Sequence, residues 1–294
     1  MFMNTRQMEV FVNIVRFGNF SNAAKKMYLS QPAVSSNIDM LEKELNAKLF
    51  IRQGRKASLT EKGQVFYDHC LKVMALTDEI LEQMGNDTAI TGTISIIASF
   101  VPGLYLLPDY INEFSKTHKG VKYATSVNNT RDAFEGVLNR LYDIGLTGAV
   151  PKNDALVQKR IFTDEMVLIT PKTEPYINLP ETIEFSLVKD TPFIMRSWGS
   201  DTLTIAEKAL TKKGISATDL NILAEYDSGE AVVQSVAKGL GVSIISKVCV
   251  QDNPTVLSFN LEGMEMKRDF YAIIQNSDFI PPRIQQFFEF LPEI

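Results

Sequence analysis

Few side chains in this sequence are of the types that make or break covalent bonds. The 294 residues include only two histidines, His69 and His118, which leaves little for general acid–base work near pH 7 and is too few for a histidine-rich metal site. The two cysteines, Cys70 and Cys249, stand far apart with no CxxC or other paired spacing, so they read as separate free thiols. No Ser/His/Asp order and no phosphate loop appears. Gly239-Leu240-Gly241 lacks a third glycine and follows a helical stretch, which fits a helix end leading tightly into a strand. No cofactor and no metal is expected, and an enzyme is the least supported class.

Two other sets of residues carry chemistry of a non-covalent kind. The first lies near the N-terminus. Val34, Ile38, Leu41 and Leu45 recur at steps of four, three and four and form the core-facing stripe of a helix. The other face, near the start of that helix, shows Gln31, Ser35, Ser36 and Asn37, short polar groups that donate and accept hydrogen bonds. Pro32 suits the first turn, where a missing N–H costs nothing. Just downstream, Arg52, Arg55 and Lys56 surround a glycine-containing turn between the strand-like runs 49–52 and 57–60. Such a hairpin offers cations to a phosphate backbone, while the polar helix tip offers hydrogen bonds to base edges.

The charge distribution agrees. The chain carries −5 overall, yet residues 1–60 hold nine Lys/Arg against four Asp/Glu, a net +5, which leaves −10 for the remainder. A basic head on an acidic body is the footprint of a DNA-binding module joined to something else.

The second set lies in the body, where Ser99-Phe100-Val101, Asn128-Asn129-Thr130, Thr147 and the run Arg196-Ser197-Trp198-Gly199-Ser200-Asp201-Thr202 all follow strand-like segments. Hydroxyls, amides and backbone N–H groups beyond strand ends, beside helix starts, suit a small anion or carboxylate.

The elements that must position these groups are readable from periodicity. Met8, Phe11, Val12 and Val15 predict a helix over about 5–17 ended by Gly18, followed by a short helix from a Ser21 N-cap to about Met27. Thr60 is a good N-cap for a long helix. On it Phe66, Cys70, Val73, Thr77, Ile80 and Met84 form one apolar line, and Tyr67, Leu71, Met74 and Leu81 a second. One line packs on the head; the other packs either on a partner helix or within the same chain. Gly85-Asn86-Asp87 predicts the helix end and a hinge. From Gly92 strands and helices alternate: strands over 93–98, 122–127, 143–146, 166–169, 193–195, 242–245 and 270–274, helices over about 106–114, 130–140, 200–213, 230–238 and 284–291. That alternation predicts parallel sheets with crossover helices.

Several segments together resemble a known family. Phe20-Ser21-Asn22-Ala23-Ala24 through Ser30-Gln31-Pro32-Ala33-Val34-Ser35, then Ile38, Leu41-Glu42, Leu45, Leu49-Phe50-Ile51-Arg52, Leu59-Thr60 and Gly63, closely resemble the winged helix-turn-helix of LysR-type transcriptional regulators. Gly92 to Pro108, Asp143 to Thr147 and Glu230 to Ser246 resemble the effector-binding domain of the same regulators, itself similar in fold to solute-binding proteins. The resemblance implies that Ser99, Asn129, Thr130 and Thr147 line an effector cleft. It also implies that the long helix serves in dimerisation. Relatives often read Gly-Ser-Gly-Thr-Arg where this chain has Gly199-Ser200-Asp201-Thr202-Leu203, so this cleft is less positive.

The expected architecture is therefore an all-α-type winged helix-turn-helix joined by a long linker helix to a two-lobed α/β effector domain. Residues 1–60 form the DNA-binding domain, 61–91 the linker and hinge, and 92–294 the effector domain. Lobe I takes about 92–163 and 269–294, lobe II about 164–268. The DNA contacts are assigned to Gln31, Pro32, Ser35, Ser36, Asn37, Arg52, Arg55 and Lys56. The effector contacts are assigned to Ser99, Phe100, Val101, Asn129, Thr130, Thr147, Arg196, Ser197, Trp198 and Thr202. Expected partners are double-stranded DNA at a partly palindromic promoter site, a small-molecule effector with anions among the candidates, and further copies of the chain as a dimer or tetramer. With no apolar run long enough for a membrane span and no secretory segment, the expectation is a cytoplasmic protein. A transporter's solute-binding protein is the rival reading of the body, and the basic head opposes it.

Overall fold

The computed structural model describes residues 3–53, 56–84, 90–148, 153–277 and 280–294. Helix α1 (Thr5–Phe17) begins in a capping box between Asn4 and Gln7 and ends at Gly18, whose φ of 74° is the left-handed turn-off that glycine takes without strain. Helix α2 (Phe20–Lys26) is capped by Asn19, whose side chain accepts from the Asn22 amide at 2.7 Å. Ser21, expected as the cap, lies inside the helix, because the extended backbone that capping requires occurs two residues earlier. Helix α3 (Gln31–Glu44) starts at Ser30, which accepts from the Ala33 amide, with Pro32 in the first turn as expected.

Val34, Ile38 and Leu41 face the head's core with Val10, Phe11 and Ile14. Leu45 falls one residue past α3 and is 36% exposed, so the stripe stops a residue short of expectation. Strands β1 (Phe50–Gln53) and β2 (Lys56–Leu59) pair antiparallel, from Phe50↔Leu59 to Gln53↔Lys56. Glu42, buried on α3, anchors this hairpin by accepting from the Leu49 amide at 2.8 Å and the Phe50 amide at 3.3 Å while pairing with Lys48 at 2.6 Å.

The long helix α4 (Glu61–Met84) starts where Thr60 accepts from the Gly63 amide at 2.9 Å. Tyr67 and Cys70 enter the head's core, and Phe66, Leu71, Val73 and Met74 lean on it. Farther along, Leu76 and Ile80 are exposed. The expected hinge at Gly85-Asn86-Asp87 lies outside the described residues.

The body is built on one curled mixed sheet. Strand β3 (Thr91–Ser99) lies between β4 (Gly120–Asn128) and β5 (Ile144–Thr147), parallel to both. Helix α5 (Leu107–Thr117), entered through a π-turn at Pro102–Leu106, and helix α6 (Thr130–Leu138) provide the crossovers. Beyond β5 the sheet turns antiparallel. Strand β6 (Leu156–Pro171) runs for 16 residues: Leu156 to Glu165 pair with β12 (Lys267–Gln275), and Met166 to Pro171 pair with β10 (Ser243–Ser246) and β11 (Val256–Leu261). The short β7 (Thr182–Ile183) pairs parallel with β11 at the sheet edge. Strands β8 (Phe193–Arg196) and β9 (Ile222–Tyr226) pair parallel beside helices α7 (Asp201–Lys212) and α8 (Gly229–Ala237), and helix α9 (Pro282–Phe290) closes on the first lobe.

The expectation of parallel sheets thus holds for β3, β4 and β5 and for β8 and β9, and is corrected for β6, β10, β11 and β12. β6 carries the chain from the first lobe into the second and β12 brings it back alongside, and two neighbouring strands running in opposite directions pair antiparallel without a crossover helix. Separate cores form on either side of that passage. One gathers Ile94, Ile96, Phe114, Ile161, Phe270 and Phe287; the other gathers Leu168, Phe193, Leu210, Ile244 and Phe259. At Gly241 a side chain is impossible, since a Cβ there would meet the Pro192 carbonyl oxygen at 2.1 Å. The left-handed turn-off at Gly239 after α8, with φ 82°, and the tight entry into β10 at Gly241 account for that glycine pair.

Candidate functional site

Between the lobes lies a cleft of about 710 Å³. Its walls come from the carboxyl ends of β3 and β8, the amino ends of α6 and α7, and the first residues of β12, the place where open α/β sheets leave strand ends and helix N–H groups facing one space. Ser99 ends β3, and its Oγ is buried with no hydrogen-bond partner among the described residues. Phe100 sits under the Arg196 guanidinium, 5.5 Å from ring centre to charge, and Val101 is buried beside it. Arg196 donates from Nη2 to the Asp227 carbonyl at 2.8 Å and from Nε to the Tyr226 carbonyl at 3.3 Å. Burial lowers its pKa from the ordinary arginine range, against the pull of Asp227 and Asp201.

Asn129 spends its side chain capping α6, accepting from the Asp132 amide at 2.8 Å. Thr130, first residue of α6, donates to Asp201, first residue of α7, across the cleft. Ser197 lies on the wall, and Trp198 stands at the rim 92% exposed, so its ring does not cover the opening. Thr202 is buried and accepts from Arg268 Nη1 at 3.2 Å. Thr147 does not line the cleft. It is fully buried behind the wall and donates to the Thr130 carbonyl at 3.5 Å. It stands one residue past the Ala98↔Leu146 pair, level with Ser99 on the neighbouring strand, and the first turn of α6 covers it.

The sequence reading overlooked Arg268. Its Nε donates to Asp164 at 2.8 Å, its guanidinium stacks on Phe270 at 4.7 Å, and its Nη2 is buried with no partner among the described residues. Asp164 is fully buried and also accepts from Ser246 Oγ at 2.7 Å. Burial raises its pKa, against the lowering by Arg268 and Ser246. One signal was available: Arg268 and Phe270 share a strand face at a spacing of two, so a cation lies on the same side as the apolar face of β12.

In the head, Gln31, Pro32 and Ser36 are exposed at the start of α3, and Ser35 and Asn37 are half-buried. Gln31 Nε2 reaches Ser35 Oγ at 3.5 Å, and Asn37 donates to the Ala33 carbonyl at 2.9 Å, which leaves its Oδ1 as the outward acceptor. Arg52 and Lys56 stand in the hairpin strands, Lys56 opposite Gln53. Their side chains, and all of Arg55, lie outside the described residues. Tyr28, not anticipated as a contact, is 96% exposed in the turn before α3, with φ 54°.

Residues 5–64 match the family model described as "Bacterial regulatory helix-turn-helix protein, lysR family", and residues 88–293 match the model "LysR substrate binding domain". The chain belongs to the LysR family of transcriptional regulators. It is 27% identical over 288 residues to the HTH-type transcriptional activator CmpR of Synechocystis, covering 97% of this chain and 93% of that protein. It is 32% identical over 277 residues to a probable RuBisCO transcriptional regulator of Cyanidioschyzon merolae, covering 91% and 90%. In fold it is similar to full-length CbnR complexed with its target DNA, with a TM-score of 0.63 at 18% identity over 98% of this chain and 99% of that one. As a LysR-type regulator it joins a helix-turn-helix to a substrate-binding domain, and its relatives are regulators, not enzymes. Among the described residues no helix is long and apolar enough to cross a membrane.

Proposed function

We propose that this regulator binds a partly palindromic promoter site through residues 1–60 and changes its action there when a small anion enters the inter-lobe cleft of residues 92–294. The observation that carries the effector reading is the pair of buried groups on the cleft wall, Ser99 Oγ and Arg268 Nη2, that have no hydrogen-bond partner among the described residues. A donor buried without an acceptor is costly, and a carboxylate or phosphate oxygen between these groups removes that cost. Arg196 adds a second cation, and the first turn of α6 adds backbone N–H groups. Asp201 and Asp227 moderate the field, which favours an effector of low charge over a polyanion.

On the DNA side, the exposed Gln31 and Ser36 with the Asn37 acceptor read base edges, while Arg52, Arg55, Lys56 and the Tyr28 hydroxyl hold phosphates. Leu76 and Ile80, exposed on the distal half of α4, favour a partner helix there, so the active species is a dimer or tetramer that matches a two-fold operator. Calorimetric titration of the full chain with small carboxylates and phosphorylated acids, repeated on Arg268→Gln, tests the cleft. Saturable binding by the native chain and its loss in the variant is the expected result; equal binding by both overturns the site. Gel shift with the DNA upstream of its own gene, at low and moderate salt, tests the head, and sedimentation at micromolar concentration tests the assembly.

A further inference from the structure

The helix that opens in the cleft ends against the DNA-binding head. α6 begins with Thr130, bonded across the cleft to Asp201, and its nine residues span about 13 Å. It is held tightly along its length. Ala133, Gly136 and Val137 are buried, and a Cβ on Gly136 would meet the Tyr142 ring at 2.9 Å and Ile97 at 3.4 Å. Its last carbonyls, of Val137 and Leu138, are both taken by the Gln275 amide of β12.

Two residues beyond α6, Arg140 turns the chain with φ 57°, a conformation glycine adopts more easily. What arginine adds there is contact with the head. The Arg140 carbonyl accepts from Tyr67 Oη at 2.8 Å, and its guanidinium pairs with Asp68 at 3.4 Å. Close by, Arg16 of α1 approaches Asp143 at 3.9 Å, and the same carboxylate is fixed by the Ser95 amide at 2.7 Å and hydroxyl at 2.6 Å on β3. Tyr67 is itself fully buried, its ring set edge-on to Phe11 in the core that supports α3.

We infer that Tyr67 is the positioning residue that couples the effector cleft to the recognition helix. α6 acts as the rigid link, and the Tyr67–Arg140 hydrogen bond is the joint. A ligand that competes for Thr130 or Asp201 displaces the amino end of α6. The packing against β3 converts that displacement into movement of the Arg140 carbonyl, which the head registers through Tyr67. This rests on the reading of the cleft as the effector site, but the joint can be tested without any ligand.

The test is a double-mutant cycle on the full chain, read by amide hydrogen exchange, with Thr130→Val standing in for opening of the cleft and Tyr67→Phe cutting the joint while keeping the ring. The expected result is that Thr130→Val speeds exchange of the α4 amides at 65–72 about fivefold, the factor by which one lost hydrogen bond shifts a local opening. In the Tyr67→Phe background, Thr130→Val adds nothing there. A response confined to α6, or one that persists undiminished in Tyr67→Phe, overturns the inference. Should Tyr67→Phe fail to fold, Asp68→Asn removes the Arg140 ion pair from outside the core, and the same cycle is expected to show a reduced α4 response; an unreduced one overturns the inference. An exhaustive metabolite screen without a hit would retire the effector reading, whereas the coupling between Thr130 and Tyr67 stands or falls on the exchange rates alone.

Discussion

Thr130 donates a short hydrogen bond to the Asp201 carboxylate, so the first residues of α6 and α7 are tied across the cleft. This bond does two things at once. It holds the lobes together when the cleft is empty, and it keeps a negative charge at the mouth of a site whose other charged walls include Arg196 and Arg268. Asp201→Asn preserves an acceptor for Thr130 while deleting the charge. The expected outcome is tighter binding of inorganic sulfate, by about fivefold, or ~1 kcal/mol at the effective dielectric of a half-open site. Titration calorimetry at constant ionic strength checks it. Unchanged binding would mean that Asp201 faces away from the anion.

Arg268 and Asp164 form a buried pair, and removing one partner strands the other. Arg268→Met is expected to lower the stability of the effector domain by about 3–5 kcal/mol at pH 8. The pH dependence follows from the raised pKa of Asp164. A carboxyl that prefers its proton in the folded state loses stability as pH rises through its folded value, and losing the arginine raises that value further. The deficit of the variant should therefore shrink at pH 5. Urea midpoints at the two pH values decide this, and Asp164→Asn in the same background should restore most of the loss at pH 8.

Glu42 behaves in the opposite sense. Burial alone would raise its pKa, but the Lys48 ammonium and the Leu49 and Phe50 amides outweigh burial and bring it below the usual glutamate range. The stability it contributes is present above that range and is lost as pH falls through the depressed folded value. Glu42→Gln is expected to cost the head about 1–2 kcal/mol at pH 7, with a smaller difference near pH 4. Exchange of the Leu49 and Phe50 amides, corrected for its intrinsic pH dependence, gives the measurement. No difference at pH 7 would show that the hairpin does not depend on the charge.

Both thiols are held as thiols. Burial pushes Cys70 up to about 12 and Cys249, despite its hydrogen bonds, to about 11. The thiolate is the reactive form, so iodoacetamide at pH 8 should modify the native chain about a hundredfold more slowly than the urea-unfolded chain. Comparable rates in the two states would show that one of the sites opens readily.

The two halves of the molecule were unequally legible from sequence. In the head, neighbouring residues set each element: Ser30 and Pro32 start α3, Thr60 starts α4, and Val34, Ile38 and Leu41 point inward because a helix places them there. The exceptions are instructive. Asn19 competes with Ser21 for one cap, and the sequence alone does not say where the backbone extends. In the body, β6 escaped because only Met166 to Ile169 make an apolar run. Its earlier residues, Gln158, Lys159 and Arg160 among them, form a half-exposed strand whose order comes from β12, more than a hundred residues away. The cleft shows the same limit. Ser99 and Thr130 sit at ends that periodicity can locate. Arg268 becomes a site residue only because Asp164 and Thr202, from two other elements, meet it, and Thr147, level with Ser99 on the neighbouring strand, is covered by the first turn of α6.

The last prediction separates reading from holding in the head. Gln31 offers an exposed amide at the start of α3, suited to bidentate pairing with adenine, and such a contact discriminates among bases while adding little to general attraction. On the proposed reading the hairpin cations act through phosphates, which every sequence presents equally. Gln31→Ala should therefore weaken binding to the native operator by ~1–3 kcal/mol and leave binding to unrelated duplex, and the salt slope, unchanged. Arg52→Ala should weaken both kinds of binding and reduce the salt slope by about one. Fluorescence anisotropy with the two duplexes across a salt series measures all four quantities. If Gln31→Ala lowers affinity for both duplexes equally, the amide is holding phosphate, and base recognition falls to Ser36 and Asn37.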